Sequence, residues 1–147
     1  MQKNEIGKIR VDVISEDISA LYMLLDNEGM ISRQGTGQLP ADEFSVTSES
    51  DGSVFKQLIE VLDDRVFEHA GVYDHPDKQG IPVTVSVAFL DGQDNAEFFE
   101  FRFGTKNEDV GELLPFFDKY ISHAIQLTDY WYYQEKEKHL DKSDSGS

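Results

Sequence analysis

The stretch from Val83 to Phe103 leaves the chain little choice of local structure. Val83, Val85, Val87 and Phe89 alternate with Thr84, Ser86 and Ala88. After Asp91-Gly92-Gln93-Asp94-Asn95, Phe99, Phe101 and Phe103 alternate with Phe98, Glu100 and Arg102. Two runs of period two joined by turn-forming residues specify an antiparallel β-hairpin, because successive side chains of a strand point to opposite faces of the sheet. The register predicts that Val83, Val85, Val87, Phe99, Phe101 and Phe103 face a helical layer, with Thr84, Ser86, Glu100 and Arg102 on the other side. A face of Val and Phe cannot stay in water, so the rest of the chain must supply what covers it.

The remaining elements read as that supply. Lys8 to Ile14 alternates Ile9, Val11 and Val13 with Lys8, Arg10 and Asp12, the pattern of a half-buried strand. Ala20 to Leu25 and Met30 to Gln34 flank the turn residues Asp26-Asn27-Glu28-Gly29 and form a second hairpin. Gly35 to Gly52, rich in Gly, Ser, Thr and acids, reads as a long surface loop with room for a short strand at Phe44 to Thr47. Asp51 or Ser53 caps a helix in which Val54, Phe55, Leu58, Ile59, Val61, Leu62 and Val66 make one apolar stripe, ending near His69. Gly71 to Pro82 holds two Gly and two Pro and reads as a loop. A last helix carries Leu113, Phe117, Tyr120, Ile121, Ala124, Thr128 and Trp131 on one face. Pro115 requires either a separate turn over Asn107 to Leu114 or a kink, since proline fits only the first turn of a helix.

The order strand, hairpin, helix, hairpin, helix predicts an α+β domain: an antiparallel sheet of about five strands with two helices packed on one face. At 147 residues the chain suits one domain, taken as 1–136, with residues 137–147 (EKHLDKSDSGS) as a disordered tail that lacks apolar periodicity. The N-terminal alternation in MQKNEIGKIRVDVIS differs from the apolar run of a secretory signal, and no later segment approaches the ~20 apolar residues of a membrane span. A cytoplasmic protein of bacterial type is the expectation, without integration into a membrane.

Composition bounds the chemistry. With no cysteine, disulfides, thiolate catalysis and Cys-based metal sites are excluded. Asp and Glu number 29 against 13 Lys and Arg, for a net charge of −16, so the surface repels nucleic acid phosphates and anionic lipid, and a charged partner should be cationic. Acidity also serves solubility alone in many proteins.

Three clusters carry what functional signal there is. Glu60, Asp64 and Glu68, flanked by Asp63, recur every fourth residue opposite the apolar stripe of the first expected helix. Like charges at this spacing cost a helix a few tenths of a kcal/mol per pair, a cost that suits a basic partner; the plain alternative is a solvated face relieved by Arg65. Tyr130, Trp131, Tyr132 and Tyr133 are consecutive, so with about 100° between successive helical residues they cannot all be buried. Tyr130, Trp131 and Tyr133 are candidates for a partner or homodimer contact, unless the tail folds over them. His69, Asp74, His75 and Asp77 form a ligand-competent set for a divalent metal, with Arg102 nearby, but their spacing matches no known metal motif and such residues are common in surface loops.

Other signals fall away. Gly35-Thr36-Gly37 follows a strand and Arg33, yet no helix begins directly after it to present N–H groups to an anion, so it reads as a turn. Gly-x-Ser-x-Gly is absent, and His123 on the last helix reads as a satisfied, partly buried histidine. The expectation is therefore a small acidic non-catalytic protein, without cofactor, that binds a basic protein as an inhibitor, immunity-type or regulatory partner. The competing expectation is a small metal-dependent hydrolase using His69, Asp74, His75 and Asp77.

Overall fold

Every strand signal becomes a strand, and two weaker segments join them. The computed structural model describes residues 1–93 and 95–145, with side chains as far as Leu140. After a 3-10 turn at Lys3–Glu5 come β1 (Ile6–Ser15), β2 (Ile18–Asp26), β3 (Met30–Gly35) and β4 (Ser45–Glu49), then α1 (Ser53–Glu60) and a 3-10 helix at Asp64–His69. They are followed by β5 (Gly71–Asp74), β6 (Pro82–Asp91), β7 (Ala96–Gly104) and α2 (Leu113–Ser145). The sheet has seven strands in the order β4-β3-β2-β1-β6-β7-β5. All pairings are antiparallel except β5 on β7, which is parallel.

The α+β expectation holds; the count of about five antiparallel strands is corrected to a seven-stranded mixed sheet. Of the added strands, β4 overlaps the short strand allowed at Phe44 to Thr47. β5 lies inside the segment read as a loop. Its four residues, Gly-Val-Tyr-Asp, are too few to show a period, and a parallel edge strand owes its existence to β7 beside it. The chain reaches that edge by crossing the sheet from β4, using α1 and the 3-10 helix as the crossover.

The period-two argument gives the right faces. Val11 pairs with Met23 on one side and Val87 on the other, and Val87 with Phe99. These four side chains are fully buried together with Ile9, Leu21, Leu25 and Phe89. Both helices cover this face. Phe117 of α2 meets Phe99 with ring centroids 4.6 Å apart and Phe101 at 5.8 Å, and Leu58 of α1 is fully buried beside them. Burying a side chain of this size contributes roughly 1.5–3 kcal/mol, so this layer is a large favourable term in folding.

Two expectations about the helices change. The helix expected from Ser53 to His69 ends at Glu60. Asp63 takes an extended conformation (φ −109°, ψ 132°) and its side chain accepts from the Arg65 N–H at 3.0 Å, capping a fresh start at Asp64. The break lets Leu62 and Phe67 both turn inward, Phe67 edge-on to Phe89 at 5.4 Å. At the other helix the proline conflict resolves as a separate turn: α2 begins at Leu113, so Pro115 lies in the first turn, where its missing N–H costs nothing. α2 also continues through Ser145, over the segment expected to be a tail from residue 137.

With 33 residues, α2 is about 50 Å long and crosses the sheet from edge to edge. Phe117 sits on β7. The Tyr120 hydroxyl donates to Leu58 O at 3.0 Å, and Tyr132 reaches the loop before β4, donating to Phe44 O at 2.8 Å. Lys136 closes the far end on Asp42 at 2.5 Å. No helix among the described residues is long and apolar enough to cross a membrane.

Candidate functional site

Three places collect the residues singled out above. The first is the β5–β7 edge. Tyr73 stacks on Phe101 with centroids 5.2 Å apart, and the two line a cleft of about 350 Å³ with Phe103, Val110, Leu114, His75, Arg102 and Asp109 among its walls. The four expected metal ligands are not brought together there. Asp74 pairs with Lys78 at 2.5 Å, and Asp77 accepts from Gln79 Nε2 at 3.0 Å; for His69 the contact is through its carbonyl, which accepts from the Tyr73 hydroxyl. Among the described residues no group of three or more His, Asp or Glu is arranged to hold a metal ion.

His75 illustrates why. Its Nδ1 accepts the Asp77 N–H at 3.0 Å, which puts the ring proton on Nε2, and Nε2 donates to Asp109 Oδ1 at 2.9 Å. Both nitrogens are engaged in joining two loops. The bond from His75 holds the Asp109 carboxyl below its ordinary range. Arg102, the other expected neighbour, pairs with Glu100 at 2.5 Å.

The second place is the end of the sheet where β1 begins. The β2–β3 turn, the β4–α1 link and the β6–β7 turn all meet here: Asn27 N donates to Gly7 O at 2.9 Å and Ser50 N to Gly29 O at 2.8 Å. A Cβ on Gly29 would stand 2.3 Å from Ser50 O, and φ there is +105°, so glycine is required for the two turns to touch. Turns at this end are built on carboxylates. Asp26 Oδ1 accepts from the N–H groups of Glu28 (3.0 Å) and Met30 (2.9 Å), Asp51 from Ser53 (3.0 Å), and Asp91 from Gln93 (2.8 Å) and Asn95 (3.0 Å). The α1 crossover runs along the same end, where Lys3 N donates to Asp64 Oδ1 at 2.7 Å. The result is a rim of Glu5, Asp26, Glu28, Glu49, Asp51, Glu60, Asp63, Asp64, Glu68, Asp91 and Glu97, with Lys3, Lys8, Lys56 and Arg65 among them.

The straight row of Glu60, Asp64 and Glu68 is not formed. Glu60 ends α1, while Asp64 and Glu68 stand on a 3-10 helix with three residues per turn, so every-fourth spacing no longer aligns them. Asp63 carries Arg65 (Nη2 to Oδ2 2.8 Å), and its carboxyl is lowered to about 2 by the hydrogen bonds from the Arg65 side chain and N–H. Asp51 and Asp91 are also held low, Asp51 first by the Ser53 N–H and Asp91 first by the Asn95 side chain.

The third place is the end of α2. Of the consecutive aromatics, Tyr130 is 80% exposed and Tyr133 45%, Trp131 packs partly buried against the core, and Tyr132 is fully buried. Under Tyr132 lies a residue that sequence patterning missed. Arg33 of β3, only 1% exposed, sits beneath α2 with its guanidinium carbon 4.3 Å from the Tyr132 ring centre. Its Nε donates to Gly35 O at 3.0 Å, and its Nη1 donates to Thr128 Oγ1 at 3.0 Å and Ile125 O at 3.3 Å. Asp129 Oδ1 stands 2.8 Å from Nη1, at ion-pair distance but out of line with its N–H bonds, and Nη2 is buried without a hydrogen-bond partner. Its place in the β3 alternation, two residues after buried Ile31, is the signal that was available: that position points inward. Arg33 therefore anchors α2; of the Gly35-Thr36-Gly37 segment, Gly35 ends β3 and Gly37 N donates to Ala20 O of β2 at 2.9 Å.

The chain matches no known protein family, no characterised protein and no solved structure.

Proposed function

We propose that this protein is a non-catalytic binding module that engages a basic protein partner through the acidic rim at one end of its sheet, in the manner of an inhibitor, immunity-type or regulatory partner. The observation that carries the reading is the distribution of carboxylates. Eleven of the 29 acidic residues stand on the turns and the crossover at one end, against four cations, so that end carries a net charge of −7. A concentrated anionic field steers cationic partners and raises their association rate. Glu60, Asp63, Asp64 and Glu68 belong to this rim even though they share no helix face. The competing reading, a small metal-dependent hydrolase using His69, Asp74, His75 and Asp77, gains no geometric support among the described residues, where these four are not gathered into one ligand set.

The test is retention from lysate at two ionic strengths. Immobilised wild type should hold a discrete basic protein at about 0.05 M salt and release it by about 0.3 M, where the Debye length has fallen to roughly 5–6 Å. Glu60→Lys, Asp64→Lys and Glu68→Lys together should abolish retention. The same reversal at Glu16, Asp17 and Asp77, near the opposite end, should leave it intact. Equal loss from both triple variants would reduce the rim to non-specific acidity.

A further inference from the structure

The sheet is covered on one side only, and its other side differs from the rest of the molecule in charge. We propose that this uncovered face is the contact surface of a homodimer, two copies packing face to face about a twofold axis that runs along the strands between β1 and β6.

The alternation that sends Val and Phe inward sends Ile14, Tyr22, Leu24, Ala88, Leu90 and Phe98 outward. Phe98 is 47% exposed, and no described element lies over it. On the four central strands this face carries Lys8, Arg10 and Arg102 against Asp12, Asp26 and Glu100. Three cations and three carboxylates cancel, so the net charge of −16 lies entirely elsewhere. Internal pairs already hold most of them, Arg10 with Asp12 at 3.5 Å and Arg102 with Glu100. The centre of this face, without net charge, has little to offer the cationic partner that the rim attracts. It suits a surface whose own charges are balanced in the same way, and a second copy supplies one.

The size fits. The four strands that the axis pairs, β2, β1, β6 and β7, have nine or ten residues each; at ~4.8 Å spacing and ~3.3 Å rise they span roughly 19 by 30 Å, or about 600 Å² in projection. A corrugated surface of that footprint approaches the ~800 Å² per partner of a standard interface.

The strand registers also make the face self-complementary. Leu24, Arg10, Ala88 and Phe98 form one transverse row, and Tyr22, Asp12, Ser86 and Glu100 the next. A twofold axis between β1 and β6 lays β1 over β6 of the second copy and β2 over its β7. Leu24 then meets Phe98 of the second copy, and Arg10 lies along its Ala88. Tyr22 places its hydroxyl by Glu100, and Asp12 faces the Ser86 hydroxyl. Each contact occurs twice, as an isologous interface requires.

Two molecules of charge −16 repel at a distance, so the dimer should tighten as salt rises, opposite to the salt response expected of the rim. Sedimentation velocity at about 0.05 M and 0.5 M salt reads this directly, with a tenfold or greater gain in dimer affinity expected over a range that shortens the Debye length from ~14 to ~4 Å. Leu24→Glu with Phe98→Glu should stay monomeric at both salts while keeping the wild-type circular dichroism spectrum. The chain has no cysteine, so thiol cross-linking supplies a second readout that does not depend on those variants folding. Leu24→Cys with Phe98→Cys should join two chains through a short bis-maleimide, and neither single variant should, because identical positions lie about three strand spacings, ~14 Å, apart across the axis. A wild type that remains monomeric at 0.5 M salt and submillimolar concentration overturns the proposal. So does a dimer that survives Leu24→Glu with Phe98→Glu but is lost on Tyr130→Glu with Tyr133→Glu, which would move the interface to α2. Partner capture by the rim is read separately, and its failure leaves this result standing.

Discussion

Replacing Arg33 probes how α2 is held to the sheet. Removing one member of a fully buried ion pair costs about 3–5 kcal/mol, chiefly because the other charge is stranded. Here the Asp129 side chain is 42% exposed and can rehydrate, so that part of the cost is small. Thr128 keeps its bond to Ala124 O at 2.8 Å. What Arg33→Met loses is the donors to Gly35 O, Thr128 Oγ1 and Ile125 O and the contact with Tyr132, while the apolar volume is kept; about 2 kcal/mol follows at 1.5–3 kcal/mol per charged hydrogen bond less the desolvation relieved. Arg33→Ala adds a cavity and should cost about 3–4 kcal/mol. For a domain of this size these correspond to roughly 4–8 °C and 8–14 °C in Tm. Urea unfolding gives the totals, and hydrogen exchange gives the location: amides from Thr128 to Lys136 should lose protection first while those around Phe117 and Tyr120 keep theirs. A methionine variant as stable as wild type would refute the reasoning and make the buried arginine merely tolerated.

Further outcomes follow from the turns and termini. Asp63, Asp51 and Asp91 have lowered carboxyls in the folded state, so their stabilisation is complete above the unfolded value near 4 and disappears as pH falls through the folded one. Asp63→Asn should therefore flatten the loss of stability between about pH 4 and pH 2, measured by urea unfolding across that window. Glu16 and Asp17 turn β1 into β2 with φ of +50° and +66°, a conformation suited to Asn-Gly; Glu16→Asn with Asp17→Gly should stabilise the fold by roughly 1 kcal/mol, and a loss would mean those side chains contribute something the turn does not show. The His139 ring lies 5.4 Å from Phe44, so backbone order parameters should stay near the rigid value of ~0.85 through His139, and values below ~0.6 from Glu137 would restore the tail boundary read from sequence.

What the sequence revealed, and what it did not, divides along the range of the interactions. Val83 to Phe103 declared a hairpin and both its faces because period two is a local property, and Asp26 to Gly29 declared a turn for the same reason. β5 was hidden because Gly71 to Asp74 is a strand only by virtue of β7. The break after Glu60 was signalled by Asp63, a good capping residue, but the apolar stripe around it spoke for continuity. Arg33 was passed over because charge suggested the surface, although its place in the alternation pointed inward. His75 and Asp77 are close in sequence, and proximity made them look like ligands until Asp109, brought up by the segment before α2, took the imidazole. The acidic rim was half visible: Glu60 to Glu68 stood out as a run, but its continuation through Asp26, Asp51 and Asp91 exists only where three turns meet.

Hydrogen-exchange footprinting of the protein with the basic protein it retains at low salt tests the binding reading most directly. Protection should appear at 26–29, 49–53, 60–68 and 91–93, the segments of the rim, and should fade as salt rises. Protection confined to 73–77 and 109–114, around the cleft of Tyr73 and His75, would contradict it and return attention to that edge of the sheet.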